Sequence, residues 1–305
     1  MNPKYDDILE YDSPAYKKRK YKLGDRRDGR RVRTLPPMHY VSPYIMKVRA
    51  DSQNQFEDVI DITNVERYLD EKHRNGYTDM TLLHVILAAY VRVISERPGI
   101  NRFISGQRIY ARNNIECVMT IKKEMSLHGE ETCIKVEFDP RDDIYNVYKK
   151  FQKTVKEAIE SDSDFDNVAG VLTKMPRPIL RSIVALLKWL DYHGWLPKAL
   201  MNVSPFHGSM IVTSMGSLGI PAIYHHLYDF GTLPVFISYG NVFTADAIKR
   251  DGTRERHHFI TIKVVTDERI CDGYYYASAF KRLKRYLLHP EALDKTLESV
   301  TEDID

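Results

Sequence analysis

The chain has 305 residues, 43% hydrophobic and 29% charged, with a net charge of +3. That is core enough for one large or two small domains, and too little net charge to argue for a polyanion partner by itself. Cys117, Cys133 and Cys271 form neither a disulfide framework nor a zinc site. The N-terminal residues carry no apolar signal region and no uncharged apolar run is long enough to cross a bilayer, so a soluble, cytoplasmic protein without a metal is expected.

Residues 1–37 read as a polar, basic arm. Lys17-Lys18-Arg19-Lys20 and the run from Arg26 to Arg33 fit a solvated arm laid along the domain or a neighbouring subunit. The sharper alternative is phosphate contact with nucleic acid, an anionic membrane surface or a coenzyme phosphate. It lacks the interleaved aromatic residues on which bases would stack.

From Met38 the pattern turns globular, and residues 38–296 are expected to form the main domain. Tyr44–Val48 and Phe56–Ile62 are predicted strands. Thr63-x-x-Glu66 has the form of a capping box and opens a helix that Gly76 closes. A second helix starts near Asp79 and is apolar around much of its circumference, from Leu82 to Ile94, which predicts a buried helix ending at Arg97-Pro98-Gly99. Phe103 to Arg112 reads as a hairpin, and Asn114–Thr120 and Glu131–Phe138 as strands. Ile144–Ile159 has amphipathic helical spacing.

Residues 161–204 look like a helical elaboration. The apolar residues between Pro176 and Pro197 fit a helix pair packed on the core or on a neighbour. A lid for a greasy group or a membrane contact is the alternative. Ser209–Ser214 is strand-like and leads into Met215-Gly216-Ser217-Leu218-Gly219, then His225 and His226. Leu233–Val242 and His258–Val265 are further strands, with a hairpin turn at Arg250-Asp251-Gly252-Thr253. After Asp272-Gly273, Tyr276, Phe280, Leu283 and Leu287 keep helical spacing until Pro290, and residues 297–305 form an acidic tail.

The strand-to-helix junction reads Asp267-Glu268-Arg269-Ile270-Cys271-Asp272-Gly273. It resembles the Asp-His-Arg-x-x-Asp-Gly junction of the acyltransferase cores of 2-oxo-acid dehydrogenase complexes, and the related His-His-x-x-x-Asp-Gly of chloramphenicol acetyltransferases. Asp61-Ile62-Thr63, Thr78 to Thr81 and Arg97-Pro98-Gly99-Ile100-Asn101 stand in the same family order. The resemblance covers about residues 40–160 and 205–296. It implies a two-layer α/β sandwich of the coenzyme A-dependent acyltransferase type, with helices on one side of the sheet, assembled as a homotrimer.

In that family the histidine is the general base that lets a thiol or hydroxyl attack an acyl thioester, and a Ser or Thr hydroxyl stabilises the oxyanion. Carried over by position, Glu268 stands where the histidine would be, and Ser214 or Thr213 takes the oxyanion role. Asp272 would fix the turn through a buried ion pair. Gly216, Ser217, His225, His226, Arg269 and Gly273 become candidate substrate or coenzyme contacts. A carboxylate is a weaker base than imidazole by roughly two pK units. Cys271 as a nucleophile and His225 or His226 as a replacement base are the competing rescues.

No lipoyl domain fits in the first residues, so the implied donor is a coenzyme A thioester or a lipoyl group on another protein, passing its acyl group to a small acceptor. The alternative is a catalytically silent homologue that keeps trimer and pocket for binding or scaffolding.

Overall fold

The computed structural model describes residues 22–122, 129, 131–160, 170–248 and 252–304. The Lys17–Lys20 run and the Arg250-Asp251 half of the expected hairpin turn lie outside them. One strand organises the rest: β10 (Arg254–Asp267), fourteen residues long. It pairs antiparallel with β2 (Gln53–Asp61), with β8 (Val235–Tyr239) and, through its first half, with β9 (Phe243–Ile248). Beyond β8, β7 (Met210–Ser214) and β5 (Ile115–Lys122) run parallel, and β6 (Glu131–Phe138) closes the far edge antiparallel. The result is a seven-stranded sheet in the order β2-β10-β8-β7-β5-β6, with β9 on β10. A second, three-stranded sheet joins β1 (Gly29–Arg31), β4 (Arg108–Arg112) and β3 (Arg102–Ser105).

Strand alternation decides which face meets the helices. Ile260, Ile262 and Val264 of β10, Val235 and Ile237 of β8, and Met210 and Val212 of β7 all enter the main core. The residues between them, Val265, Phe236 and Ile211, face the other way and pack with Leu227 in a small separate cluster. That second face is covered by the irregular chain around residues 221–230 and by the short helix α6 (Lys198–Val203), whose Met201 carbonyl accepts from Lys135, between the core-facing Ile134 and Val136. The expected one-sided placement therefore holds for the helices that enter the main core but not for α6.

The buried helix is α3 (Leu82–Glu96), in which every side chain from Leu83 to Ser95 is buried. It contacts α4 (Ile144–Glu160) and α7 (Gly273–Leu288), while α2 (Thr63–Arg74) packs on both α3 and α7. A helix apolar all round can be stable only in such a position. Tyr276, Ala279, Leu283 and Leu287 form the buried stripe of α7, with Phe280 packed partly against it.

Two local expectations are corrected. Tyr44–Val48 is not a strand, because Pro37 starts a helix, α1 (Pro37–Ile45), that runs into this segment; a proline in the first helical turn favours that outcome. The Thr63–Glu66 capping box does not form. Asp61 accepts from the Thr63 backbone at 2.9 Å, and Glu66 pairs with His258 instead. A capping box does form one helix later, between Thr81 and His84.

The described part of the N-terminal segment is fastened to the domain. Arg26 donates to Asp28 at 2.8 Å, to Asp191 at 2.9 Å and to Ser105 at 2.6 Å. Arg30 binds the carbonyls of Asp303 and Ile304, and Arg102 holds Asp303 in an ion pair whose side chains are each 7% exposed. The acidic tail is thus pinned beside the start of β3.

Asp191 lies near the end of α5 (Arg177–His193) and is the one buried residue of that helix. Burial opposes its ionisation, but the His207 imidazole 3.2 Å away and the Arg26 guanidinium outweigh burial and hold the carboxyl at about 2. A depressed carboxyl stabilises the fold above its unfolded pKa of about 3.9 and loses that contribution as pH falls toward 2. Acid unfolding followed by circular dichroism should therefore show about 2 kcal/mol lost between roughly pH 4 and pH 2. An Asp191→Asn variant should lose that stability at neutral pH and show a shallower dependence in the same window.

Candidate active site

The strand-to-helix junction is built on Asp267, the last residue of β10 and 0% exposed. Its carboxylate accepts from Arg269 Nε at 2.8 Å and Nη2 at 2.7 Å, and from Arg49 Nε at 3.3 Å. Its backbone is tied as well, since the amide donates to the Pro234 carbonyl at 2.9 Å and the carbonyl accepts from the Tyr276 hydroxyl at 2.8 Å. The two arginines carry the joint outward. Arg269 donates to the Met46 carbonyl, and Arg49 to the carbonyls of Tyr228 and Gly231. One carboxylate thus joins the loop after α1, the 228–231 turn and the sheet.

This corrects the expected role of Asp272. The buried ion pair belongs to Asp267; Asp272 is exposed and caps α7, accepting from the Tyr275 amide at 2.7 Å. Arg269 is only 3% exposed and committed to Asp267, so it is a positioning residue rather than a substrate contact. Gly273 is the first residue of α7 and exposed, with nothing within 4 Å of a Cβ placed there, so no close approach within the chain demands glycine.

Glu268 stands between these fixed neighbours. Its amide donates to the Ser52 carbonyl at 2.9 Å and the residue is half-buried. Among the described residues its carboxylate has no hydrogen-bond or ion-pair partner. The joint thus holds one free carboxylate at the end of the central strand.

Ser214 and Thr213 lie at the opposite end of the sheet. Ser214 pairs with Tyr239, and Tyr239 with Ile262, six residues before Glu268 on β10. At about 3.3 Å per residue, roughly 20 Å separate Ser214 from Glu268 within one chain. The turn beyond Ser214 is close-packed: the Ser217 amide donates to Ser214 Oγ at 3.3 Å, and a Cβ on Gly216 would meet the Gly240 carbonyl oxygen at 2.7 Å. Glycine at 216 is required by that approach, which is a packing reason and not a ligand-binding one.

His225 and His226 do come to the Glu268 end. The Leu227 amide reaches the side chain of Gln53, and Gln53 is the cross-strand partner of Asp267. His225 stacks on Phe236 with ring centroids 4.3 Å apart, and burial keeps its imidazole below the ordinary histidine value. His226 is exposed and meets Tyr228 edge-on. Cys271 is 3% exposed and burial pushes its thiol up, so it cannot supply a thiolate. His257 and His258 lie toward the other end of β10 and pair with Asp61 and Glu66.

Sequence reading missed two partners of the junction. Arg49 is one, and nothing near it in the chain marks it as the second counter-ion of Asp267. The other is Gly99. Its amide donates to the Tyr275 hydroxyl at 2.9 Å, and a Cβ there would stand 2.8 Å from the Tyr275 ring. Arg97 donates to Ser278 on the same helix. The Arg97–Asn101 motif is thus the seat of α7.

At this same end of the sheet a cavity of about 790 Å³ opens between the N-terminal segment, the start of β5 and the tail. Its wall includes Arg26, Asn101, Arg112, Asn114, Glu116 and His207, and does not include Glu268. Among the described residues no group of three or more His, Cys, Asp or Glu side chains could hold a metal ion, and no helix is long and apolar enough to cross a membrane.

No family model matches the chain, and no curated protein matches it. Solved structures do. A probable dihydrolipoamide acetyltransferase from Listeria monocytogenes is 14% identical with a TM-score of 0.52, over 84% of this chain and 94% of that one. The dihydrolipoamide acetyltransferase of Azotobacter vinelandii is 13% identical with a TM-score of 0.51, over 86% and 93%. A truncated catalytic core of the 2-oxoacid dehydrogenase multienzyme complex from Thermoplasma acidophilum is 10% identical with a TM-score of 0.51, over 86% and 99%. At these identities the likeness is one of fold, which is the coenzyme A-dependent acyltransferase type.

The two aspartates of the junction should separate cleanly in denaturant unfolding. Asp267→Asn leaves two buried guanidinium groups short of their counter-charge and should cost about 3–5 kcal/mol. Asp272→Ala removes a helix cap and should cost about 1 kcal/mol.

Proposed function

We propose that the chain is an acyl-transfer protein that takes an acyl group from a coenzyme A thioester, or from a lipoyl thioester on another protein, and passes it to a small acceptor. The observation that carries this reading is the carboxylate of Glu268 just beyond β10, without a partner among the described residues and held next to the Asp267 joint, at the place the sequence resemblance gives to the general base. Glu268 would take the proton of the attacking thiol or hydroxyl. That group forms the new bond to the thioester carbon, and collapse of the tetrahedral intermediate expels the donor thiolate, which recovers the proton. The oxyanion needs a donor close by, and Ser214 is roughly 20 Å away in the same chain.

A second copy resolves the distance. In a homotrimer the Ser214 end of one protomer meets the Glu268 end of the next, and each site is assembled from two chains. Exposed apolar residues of the turn after Ser214, Leu218 at 56% and Ile220 at 42%, supply a surface for that contact. Thr213 and Ser217 flank the hydroxyl, and His226, toward the same end of the sheet as Glu268, would be an exposed second proton carrier.

The reading is tested by acyl-coenzyme A turnover with free thiol release. Glu268→Gln should lower turnover about 100-fold or more, and Ser214→Ala by a similar order. Mixing the two inactive variants after subunit exchange should restore activity, because some interfaces then pair an intact Glu268 with an intact Ser214. Wild-type protein that binds coenzyme A without turnover, while Glu268→His turns over, would instead identify a silent homologue with a surviving pocket.

A further inference from the structure

Helix α5 is unlike the other long helices of the fold. Over Arg177–His193 its one buried residue is Asp191, and the rest is exposed or half-exposed. The exposed side chains are large and apolar: Ile179 at 51%, Leu186 at 54%, Trp189 at 49% and, just past the helix, Trp195 at 61%. These are the two tryptophans of the whole chain. Trp189 and Trp195 meet edge-on with ring centroids 5.3 Å apart, forming an exposed aromatic cluster at one end of the helix. A contiguous apolar surface of this kind on a water-soluble fold marks a docking surface.

The charges say what docks. At about 100° per residue, Arg177, Arg181 and Lys188 fall within roughly 40° of one another, on the side of the helix away from Ile179 and Leu186. All three are exposed, as are Lys174 and Lys198 on either flank. Between Gly170 and Ser204 the sequence has a single carboxylate, Asp191, which is turned inward to Arg26 and His207. An apolar face with indole rings at its end, opposite a face that is cationic without acidic relief, is the composition of a helix lying in a lipid headgroup layer. A second copy of the helix would bring no exposed carboxylate to meet those cations, whereas an anionic lipid surface supplies the opposite charge.

The geometry points to α5 as an interfacial helix that lays its apolar face on an anionic phospholipid surface, with the domain tethered to it through Asp191. The Arg26–Asp191–Ser105 contacts fix the C-terminal end of the helix to the three-stranded sheet. Among the described residues the Arg177 end makes no such buried contact.

Vesicle flotation tests this with the full chain, using phosphatidylcholine mixed with phosphatidylserine against pure phosphatidylcholine. Three cationic side chains near the surface should make partition onto the mixed vesicles about 100-fold tighter. Tryptophan emission should shift to shorter wavelength on binding, since both indoles sit at the contact. Arg181→Glu with Lys188→Glu should lower partition onto the mixed vesicles at least about tenfold. Leu186→Ser with Trp189→Ser should lower partition onto both kinds.

All four positions are exposed, so melting temperatures should stay at the wild-type value. Equal partition onto both vesicle types overturns the proposal. So does vesicle binding that survives the charge reversal, because another surface is then responsible. A concentration-dependent larger assembly without vesicles, abolished by Leu186→Ser with Trp189→Ser, would assign the face to self-association and also overturn it. None of these readouts depends on acyl transfer.

Discussion

The structure depends on a carboxylate that sees no water. Asp267 is held between the guanidinium groups of Arg269 and Arg49 at the end of the longest strand. Removing a charged trio from water is costly, so the arrangement survives only because the remaining donors of both arginines find backbone carbonyls. Those carbonyls belong to segments with no regular structure of their own. The ion cluster therefore does more than close a turn, for it ties down the loops that frame the strand end, one residue before the half-buried Glu268.

Much of this was legible in the chain, and the exceptions have physical causes. Strand β6 begins and ends where its alternation says, at Glu131 and Phe138, and α4 starts at Ile144 as its amphipathic spacing requires. The all-round apolarity of Leu82 to Ile94 correctly implied burial on every side. Tyr44–Val48 misled because its β-favouring residues sit downstream of Pro37, which opens a helix that runs into them. Asp272 and Asp267 are five residues apart, and sequence spacing cannot say which of them turns inward. The answer lies with Arg49, far away in the chain, and with the Tyr276 hydroxyl that holds the Asp267 carbonyl.

The candidate site was half legible for a related reason. Motifs name residues, whereas distance comes from register. Ser214 and Glu268 stand at opposite ends of neighbouring pairings, a fact contained only in the ladder Ser214–Tyr239–Ile262. His225 and His226 were hard to place because the segment carrying them has no regular structure, yet its contact with Gln53 brings it to the strand end. The single chain therefore carries Glu268 and the two imidazoles toward one end of the sheet and Ser214 toward the other.

The sheet order has a consequence for how the molecule is made. Strand β2 is an edge whose neighbour in the ladder is β10, pairing Gln53 with Asp267 and Asp61 with Phe259. A chain emerging from the ribosome must hold β2 unpaired until β10, roughly two hundred residues later, has been synthesised. Loop closure over that span is slow, and an unpaired strand edge is a target for wrong partners. The negative charges along β2, Glu57, Asp58 and Asp61, keep the waiting strand soluble and repel a second copy of itself. Lys263 and Lys284, which later meet Glu57 and Asp58, arrive with the segment that completes the fold.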